Sequence, residues 1–184
     1  MHVMIDIETL GVKHTAPVLT IAAVFFEPYG DGPATPVEAS QFHWVLNRRD
    51  QMAGGALIEV ETLEWWLNQG EEARKAAFAI PPDTPLTEQL QEIQGILAHP
   101  EVEKVWANSP SFDLVILRSL FERTGVGFPY MFWEEMDVRT VRNLLIAMPS
   151  LEEWPAFEGD QHNALHDALY QVKLVQMMYR MLKR

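Results

Sequence analysis

The sequence predicts an α/β fold in which helices cover a mixed five-stranded sheet. Three strand patterns follow one another near the N-terminus, helix and strand patterns then alternate, and the chain ends in a long amphipathic segment. Strands joined by short turns pair in antiparallel fashion, whereas strand–helix–strand units pair in parallel, so the sheet should be mixed. The length of 184 residues is that of one domain, which we expect to span residues 1–184.

The first three strands are predicted from runs of β-branched, aromatic and alternating residues. Apolar side chains alternate with Met4, Asp6 and Glu8 over residues 3–8, and Thr9-Leu10-Gly11 should be the turn that ends this strand. The second run extends from Val18 to Phe26 and the third from Gln41 to Leu46. A loop rich in turn residues is expected from Glu27 to Pro36.

Two helices should follow. Leu63, Trp66 and Leu67 have helical spacing after Thr62, and Gly70 is a typical helix end. The second helix should have Thr84 as its N-cap and Pro85 at its first helical position, with an apolar face formed by Leu86, Leu90, Ile93 and Leu97.

The remaining elements alternate between strand and helix. They are a strand from Val102 to Ala107, a helix capped by Ser111 and ending at Gly125, a fifth strand from Met131 to Trp133, a helix from its cap Asp137 through Leu145, a loop from Pro149 to Gly159 and a long helix from His162 to Leu182.

Composition excludes several classes of function. The sequence contains no cysteine, so disulfide scaffolds, thiolate zinc sites, iron–sulfur clusters and thiol nucleophiles are excluded. A net charge of −12 argues against a protein that coats nucleic acid electrostatically. Because no leader pattern and no apolar run of about 18 residues is present, we expect no membrane association and a cytoplasmic location.

Asp6 and Glu8 form the first candidate site. Residues two apart on a strand point to the same face about 7 Å apart, so their carboxylates repel. The simplest interpretation is an exposed strand face. The strongly apolar surroundings instead favour a buried pair with a chemical role.

The second candidate site lies where the fourth strand gives way to a helix, in the segment from Asn108 to Asp113. Loops at strand ends commonly collect ligands in open sheets. Asp113 would lie in the first helical turn, where an acidic residue also simply compensates the helix dipole.

The third candidate site is the segment from His162 to Asp167. Five residues rotate a helix by about 500°, so His162 must lie on the entering loop if it is to meet Asp167. The alternative pairs His162 with His166, four residues apart, as a His-x-x-x-His metal site.

Taken together, the three segments supply four carboxylates: Asp6, Glu8, Asp113 and Asp167. Such hard oxygen ligands suit Mg²⁺ or Mn²⁺. Two divalent ions about 3.5–4 Å apart are the usual arrangement for phosphodiester hydrolysis. A neutral histidine nearby could then act as general base towards the attacking water.

The three motifs resemble those of the DEDDh family of 3′-to-5′ exonucleases. Asp6-Ile7-Glu8-Thr9, Asn108-x-x-x-Phe112-Asp113 and His162-x-x-x-x-Asp167 occur in the right order across nearly the whole chain. The extended first motif through Gly11, together with Thr62-Leu63-Glu64-Trp65-Trp66, resembles the compact branch that includes the mycobacterial-type exoribonuclease and the phage exonuclease A group.

The resemblance implies a ribonuclease H-like fold and two Mg²⁺ or Mn²⁺ ions. It also implies that Asp6, Glu8, Asp113 and Asp167 are metal ligands and that His162 is the general base. The expected activity is release of nucleoside 5′-monophosphates from the 3′ end of single-stranded RNA or DNA. Residues expected to contact substrate are Thr9, Leu10, Gly11, Trp66, Asn108 and Phe112.

The main rival among enzymes is a metal-dependent nuclease of the same fold that cuts internally, which the His162-x-x-x-x-Asp167 pair disfavours by resemblance. Two other functions stay open at this point. One is an end-binding module that has lost catalysis, and the other is a proofreading-type subunit of a larger assembly. The resemblance also makes a homodimer reasonable. Adjacent helical residues point about 100° apart, so only one of Trp65 and Trp66 should be buried.

Overall fold

The computed structural model describes residues 1–34, 39–148 and 154–183 and contains one five-stranded sheet. The strands are β1 (His2–Thr9), β2 (Val18–Phe26), β3 (Gln41–Val45), β4 (Lys104–Ala107) and β5 (Glu135–Asp137). Their order across the sheet is β3-β2-β1-β4-β5. β2 is antiparallel to β1 and β3, whereas β4 is parallel to β1 and β5. The sheet is therefore mixed, as predicted.

Seven α-helices connect and cover the strands in the described residues. They are α1 (Arg48–Ala53), α2 (Val60–Leu67), α3 (Glu71–Ala77), α4 (Leu86–Leu97), α5 (Asp113–Arg123), α6 (Val138–Ile146) and α7 (Ala164–Leu182). None of the helices in the part of the chain that the structure describes could span a bilayer. The two predicted loops, 27–36 and 149–159, lie partly outside the described residues.

The alternation in β1 divides the interior into two cores. Val3, Ile5 and Ile7 pack against α4 and α5 on one face of the sheet. Met4, on the opposite face, packs with side chains of α6 and α7. Asp6 and Glu8 follow Met4 on this second face, so β1 directs both carboxylates towards α7.

The fifth strand differs from the prediction. Residues Phe132–Glu134 form one turn of 3₁₀ helix, and β5 comes after them. The Glu134 carboxylate accepts the Met131 backbone N–H at 2.6 Å, a local bond that favours the turn over a strand. Phe132 and Trp133 are exposed, so their apolar character did not indicate a buried strand.

Two predicted helix caps are also wrong. Pro85 occupies the N-cap position of α4, and the Asp50 carboxylate accepts the Leu86 N–H at 2.9 Å in place of Thr84. In α5, the Ser111 hydroxyl pairs with that of Ser109 at 3.0 Å and does not cap the helix. The helices α1 and α3 were not predicted.

The other helix boundaries agree more closely with the sequence. Asp137 caps α6 by accepting the Thr140 N–H at 2.6 Å. Gly125 follows the end of α5 with φ +75°, the left-handed conformation typical of this position. The last helix begins at Ala164, with Asn163 as its N-cap, two residues later than predicted.

Candidate active site

The three candidate segments meet at one edge of the sheet. β1 and β4 are parallel, so the segments that follow them emerge at the same edge. The segment after β4 carries Asn108 and leads into α5 at Asp113. α7 packs on the face of β1 that bears Asp6 and Glu8, and Asp167 lies in its first turn.

Three carboxylates form a tight group. One oxygen from each of Asp6, Glu8 and Asp167 lies within 4.8 Å of the others. Asp6 and Glu8 are each only 8% exposed, which excludes the interpretation of an exposed strand face. The Asp6 Oδ1 also accepts a hydrogen bond from Gln171 Nε2 at 2.7 Å. Because Gln171 is one helical turn beyond Asp167, α7 contributes two side chains to this group.

Asp113 lines the same cavity, whose volume is about 390 Å³. It is 4% exposed, and its Oδ2 accepts the Ser109 N–H at 3.1 Å. Among the described residues, it is not part of the three-carboxylate group. This bond turns one of its oxygens towards the loop after β4.

Burial raises the pKa of all four carboxyl groups, and repulsion between carboxylates adds to this rise at Asp6 and Glu8. Burial is the largest cause throughout. Repulsion from Asp167 and Asp113 adds to it at Glu8, whose pKa rises to about 8. The pKa of Asp6 lies well above its ordinary value, because Asp113, Glu8 and Asp167 surround it. The pKa of Asp113 rises to about 7, although backbone N–H groups oppose the rise. Burial also raises the pKa of Asp167, although the hydrogen bond from the His162 N–H lowers it.

This arrangement fits divalent cations. Three buried carboxylates and the half-buried Asp167 cannot all be ionised at neutral pH unless positive charge lies between them. The donor set is made of carboxylate oxygens, which Mg²⁺ and Mn²⁺ prefer. Asp6, Glu8 and Asp167 could hold one ion together, and Asp113 is near enough to help hold a second.

His162 lies on the loop before α7, as its spacing from Asp167 predicted. Its backbone N–H donates to Asp167 Oδ2 at 2.8 Å, and its φ is +63°. Its ring meets that of Trp65 edge to face, with centroids 4.8 Å apart. His166 Nδ1 accepts the Asp160 N–H at 2.9 Å, so this nitrogen is already engaged. Neither histidine belongs to the acidic group within the described residues, which speaks against the His-x-x-x-His site.

A larger and more apolar cavity of about 690 Å³ adjoins the acidic one. Ile7, Glu8 and Phe112 line both. Asn108 lines the acidic cavity but not the larger one. Trp65 is 42% exposed, whereas Trp66 is 1% exposed and donates its Nε1–H to the Thr9 carbonyl at 2.9 Å. Both tryptophans line the larger cavity. Trp66 also supports the turn after β1, and Trp65 is the more exposed ring, so contact of Trp66 with substrate stays a prediction.

The turn after β1 is only partly available to a ligand. Thr9 lines the larger cavity, and its hydroxyl donates to the Gly11 carbonyl at 2.7 Å. Leu10 and Gly11 line neither cavity, contrary to expectation. Leu10 packs in a small core with Trp66, and a Cβ on Gly11 would lie 3.0 Å from Glu59 Oε2. These two residues hold the turn in shape.

Comparison with known proteins assigns the family. Residues 1–179 match the family described as the 3′-5′ exoribonuclease Rv2179c-like domain. The chain belongs to this family. It is therefore a 3′–5′ exonuclease of the DEDDh type, which confirms the resemblance in the sequence.

Individual relatives agree with the family match. The chain is 26% identical to an exodeoxyribonuclease of Enterobacteria phage T4, over 96% of this chain and 88% of the relative. The fold is similar to that of the nuclease domain of 3′hExo, a DEDDh family member bound to rAMP. The TM-score is 0.64 and the identity 9%, over 97% of this chain and 91% of that domain. The ribonuclease H-like fold is thereby confirmed. DEDDh nucleases in general use divalent metal ions, with which the acidic group is compatible.

Sequence reasoning missed three residues of the site. Gln171 could have been found, because its spacing of four from Asp167 places both on one face of α7. Trp65 was considered together with Trp66, and only the packing of α2 shows which of the two is exposed. Arg139 lines the acidic cavity, although the sequence shows it only as one of several scattered basic residues.

Proposed function

We propose that this exonuclease releases nucleoside 5′-monophosphates from the 3′ end of single-stranded RNA or DNA. The observation that carries this proposal is the convergence of buried Asp6 and Glu8 with half-buried Asp167, together with Asp113 and His162, around a cavity that adjoins a larger apolar one. The family description names RNA and the phage T4 relative is named for DNA, so both sugars are candidates.

Asp6, Glu8, Asp113 and Asp167 would hold two Mg²⁺ or Mn²⁺ ions. Such ions supply positive charge where it accumulates on a phosphodiester under attack. Gln171 keeps one oxygen of Asp6 engaged and so orients its carboxylate.

His162 would remove the proton from the attacking water. The water oxygen forms a bond to phosphorus while the bond from phosphorus to the O3′ of the preceding nucleotide breaks. The departing O3′ takes a proton from solvent, and the released nucleotide keeps the phosphate on its 5′ oxygen. His162 is suited to this role because the Asp167 carboxylate and the Trp65 ring hold its backbone and its imidazole, respectively.

The substrate would be held mainly by its terminal nucleotide. The apolar cavity of about 690 Å³ is of a size typical of ligand sites, and exposed Trp65 and half-buried Phe112 offer stacking surfaces. Stacking requires an unpaired base, which favours single strands. Arg139 lines the acidic cavity, and its charge opposes the rise in the pKa of Asp113. Its charge is suited to a substrate phosphate.

The test measures the degradation of matched RNA and DNA oligonucleotides labelled at the 5′ end, in the presence of Mg²⁺, Mn²⁺ or a chelator. We expect a ladder shortened from the 3′ end, nucleoside 5′-monophosphates as product and no reaction in chelator. Internal cuts at the first time point, or degradation that persists in chelator, would refute the proposal. His162→Ala should lose about 10² to 10⁴-fold in kcat, as expected for a general base. A variant with no such loss would remove His162 from this role.

The same experiment separates the two other functions. An end-binding module would retain oligonucleotides without shortening them. A proofreading-type subunit would act alone but would also remain bound to a polymerase during purification. A homodimer and a cytoplasmic location stay predictions.

A further inference from the structure

The segment that carries His162, residues 159–163, is attached to α7 at several points; we name it the His162 loop. Asn163 caps α7 by accepting the Leu165 N–H at 3.1 Å, and the His162 N–H donates to Asp167. These contacts hold the C-terminal half of the loop. Its N-terminal half depends on a different residue.

His166 holds that N-terminal half through two contacts. Its Nδ1 accepts the Asp160 N–H at 2.9 Å. Gly159 lies directly against the imidazole, since a Cβ built on this glycine would be only 2.5 Å from Nδ1. Gly159 also has φ +95°, which other residues rarely adopt. The loop therefore folds closely over the His166 ring.

The backbone conformation of His162 depends on these contacts. Its φ of +63° is uncommon for a residue other than glycine, and such a conformation persists only where surrounding contacts impose it. Asp167 holds the loop on one side through the His162 N–H, and His166 holds it on the other side through the Asp160 N–H. Loss of either contact should let the imidazole of His162 leave its place beside the acidic group.

We propose that His166 is a positioning residue, which keeps the His162 loop in the conformation that places His162 for catalysis. This inference rests on the proposed role of His162 as general base. It also changes what His166 is expected to do: its ring is neither a metal ligand nor a solvated side chain, but the surface on which the loop folds.

The first test measures the loop itself in metal-free protein. In His166→Ala, we expect the Asp160 amide to exchange with solvent at least about tenfold faster than in the wild type. Alanine preserves α7, because it has the highest helix propensity. His166→Asn should restore most of the protection, since its Oδ1 can take the place of Nδ1 as acceptor. Unchanged exchange in His166→Ala would overturn the proposal, whatever the activity of the enzyme.

The second test measures turnover with the metal bound. His166→Ala should lower kcat by about ten- to a hundredfold, the range that misplacement of a catalytic group produces, and should leave KM within about twofold. Gly159→Ala should behave similarly, because its Cβ would displace the His166 ring. In a His162→Ala background, His166→Ala should have no further effect. An equal loss in that background, or weaker Mn²⁺ binding in His166→Ala, would overturn the proposal in favour of another role.

His99 provides a matched control. Its Nδ1 also accepts a backbone N–H, that of Glu101 at 3.3 Å, but in the turn before β4, at the end opposite Asn108. His99→Ala should leave kcat unchanged within about twofold. If His162→Ala itself remains active while His166→Ala still frees the loop, the proposed role of His162 is wrong and the structural part of this inference stands.

Discussion

Three of the four carboxylates accept a hydrogen bond from a specific neighbour. Gln171 donates to Asp6, the His162 N–H donates to Asp167, and the Ser109 N–H donates to Asp113. These bonds leave the remaining oxygens facing the cavity. Burial raises the pKa of all four groups, and at Asp6 and Glu8 repulsion between the carboxylates raises it further.

The first prediction concerns Asp113. A ligand that binds only the folded protein at a hundredfold excess over its Kd stabilises it by about 2.7 kcal/mol. Mg²⁺ or Mn²⁺ should therefore raise the Tm of the wild type. Asp113→Asn should show a smaller rise and lower kcat, because one anionic ligand is lost. Thermal unfolding at several metal concentrations gives the measurement, and a rise equal to that of the wild type would remove Asp113 from the ligand set.

At the scale of elements, side chains from distant parts of the chain complete helix ends that the local sequence leaves open. α4 is the clearest case, because Pro85 lacks a capping side chain and Asp50 supplies the acceptor from across a loop. Similarly, the Gln51 side chain accepts the Val18 N–H and donates to the Val18 carbonyl, and these two bonds attach α1 to β2. The short helix α1 thus connects β2 to α4.

The second prediction compares two candidate caps of α4. Asp50→Ala should lower the free energy of unfolding by about 1 kcal/mol, the usual cost of losing an N-cap acceptor. Thr84→Ala should change it by less than about 0.5 kcal/mol, as at ordinary surface positions. Urea denaturation of both variants provides the measurement. A larger effect at Thr84 than at Asp50 would contradict the capping seen in the structure.

At the scale of the whole molecule, the acidic group makes the stability of the metal-free protein dependent on pH. Glu8 and Asp113 have folded-state pKa values of about 8 and about 7, well above 4.5 and 3.8. The folded state therefore binds more protons than the unfolded state below these values, and stability falls as pH rises. Burial lowers the pKa of His2 to about 4, which has the opposite effect, but only below its ordinary value of 6.5.

The third prediction uses the interval in which these effects separate. Between about pH 6.5 and 8, the metal-free protein should lose stability as Glu8 and Asp113 ionise. Saturating Mg²⁺ should remove most of this loss, because cations favour the ionised carboxylates. Urea denaturation in chelator and in Mg²⁺ across this interval checks both statements. Stability that rises with pH in chelator would show that the folded state does not raise the pKa of these carboxyl groups.

The fourth prediction concerns binding by the whole molecule. With a net charge of −12, the protein should attach to nucleic acid through the 3′-terminal nucleotides and not along an extended phosphate track. Affinity should therefore depend weakly on salt, and degradation should be distributive. Binding measured over a salt series tests this, and a slope that corresponds to about six or more neutralised phosphates would refute it.

At the scale of the whole molecule, we also propose that residues 1–184 form a single domain. The two cores share the central strands β1 and β2, so they should unfold together. Coincident transitions by fluorescence and circular dichroism would support it, and separate transitions would not.

The sequence by itself determined the order of the strands along the chain, the mixed character of the sheet, the family and the four carboxylates. Alternation in residues 3–8 was sufficient to direct Asp6 and Glu8 to one face, and helical geometry alone placed His162 on a loop. These inferences succeeded because they depend on periods of two and 3.6 residues, which are local properties of the backbone.

Only the tertiary structure decided which tryptophan is exposed, where the fifth strand begins, which residue caps α4 and which contacts His166 makes. For the tryptophans and for α4, the deciding contact joins parts of the chain that the local pattern does not relate: Trp66 with Thr9, and Asp50 with Leu86. Local propensity differs by only fractions of a kcal/mol among these alternatives, whereas burial of a ring or satisfaction of a backbone N–H contributes about 1 kcal/mol or more. Long-range packing therefore determines the outcome wherever the local preferences are nearly equal.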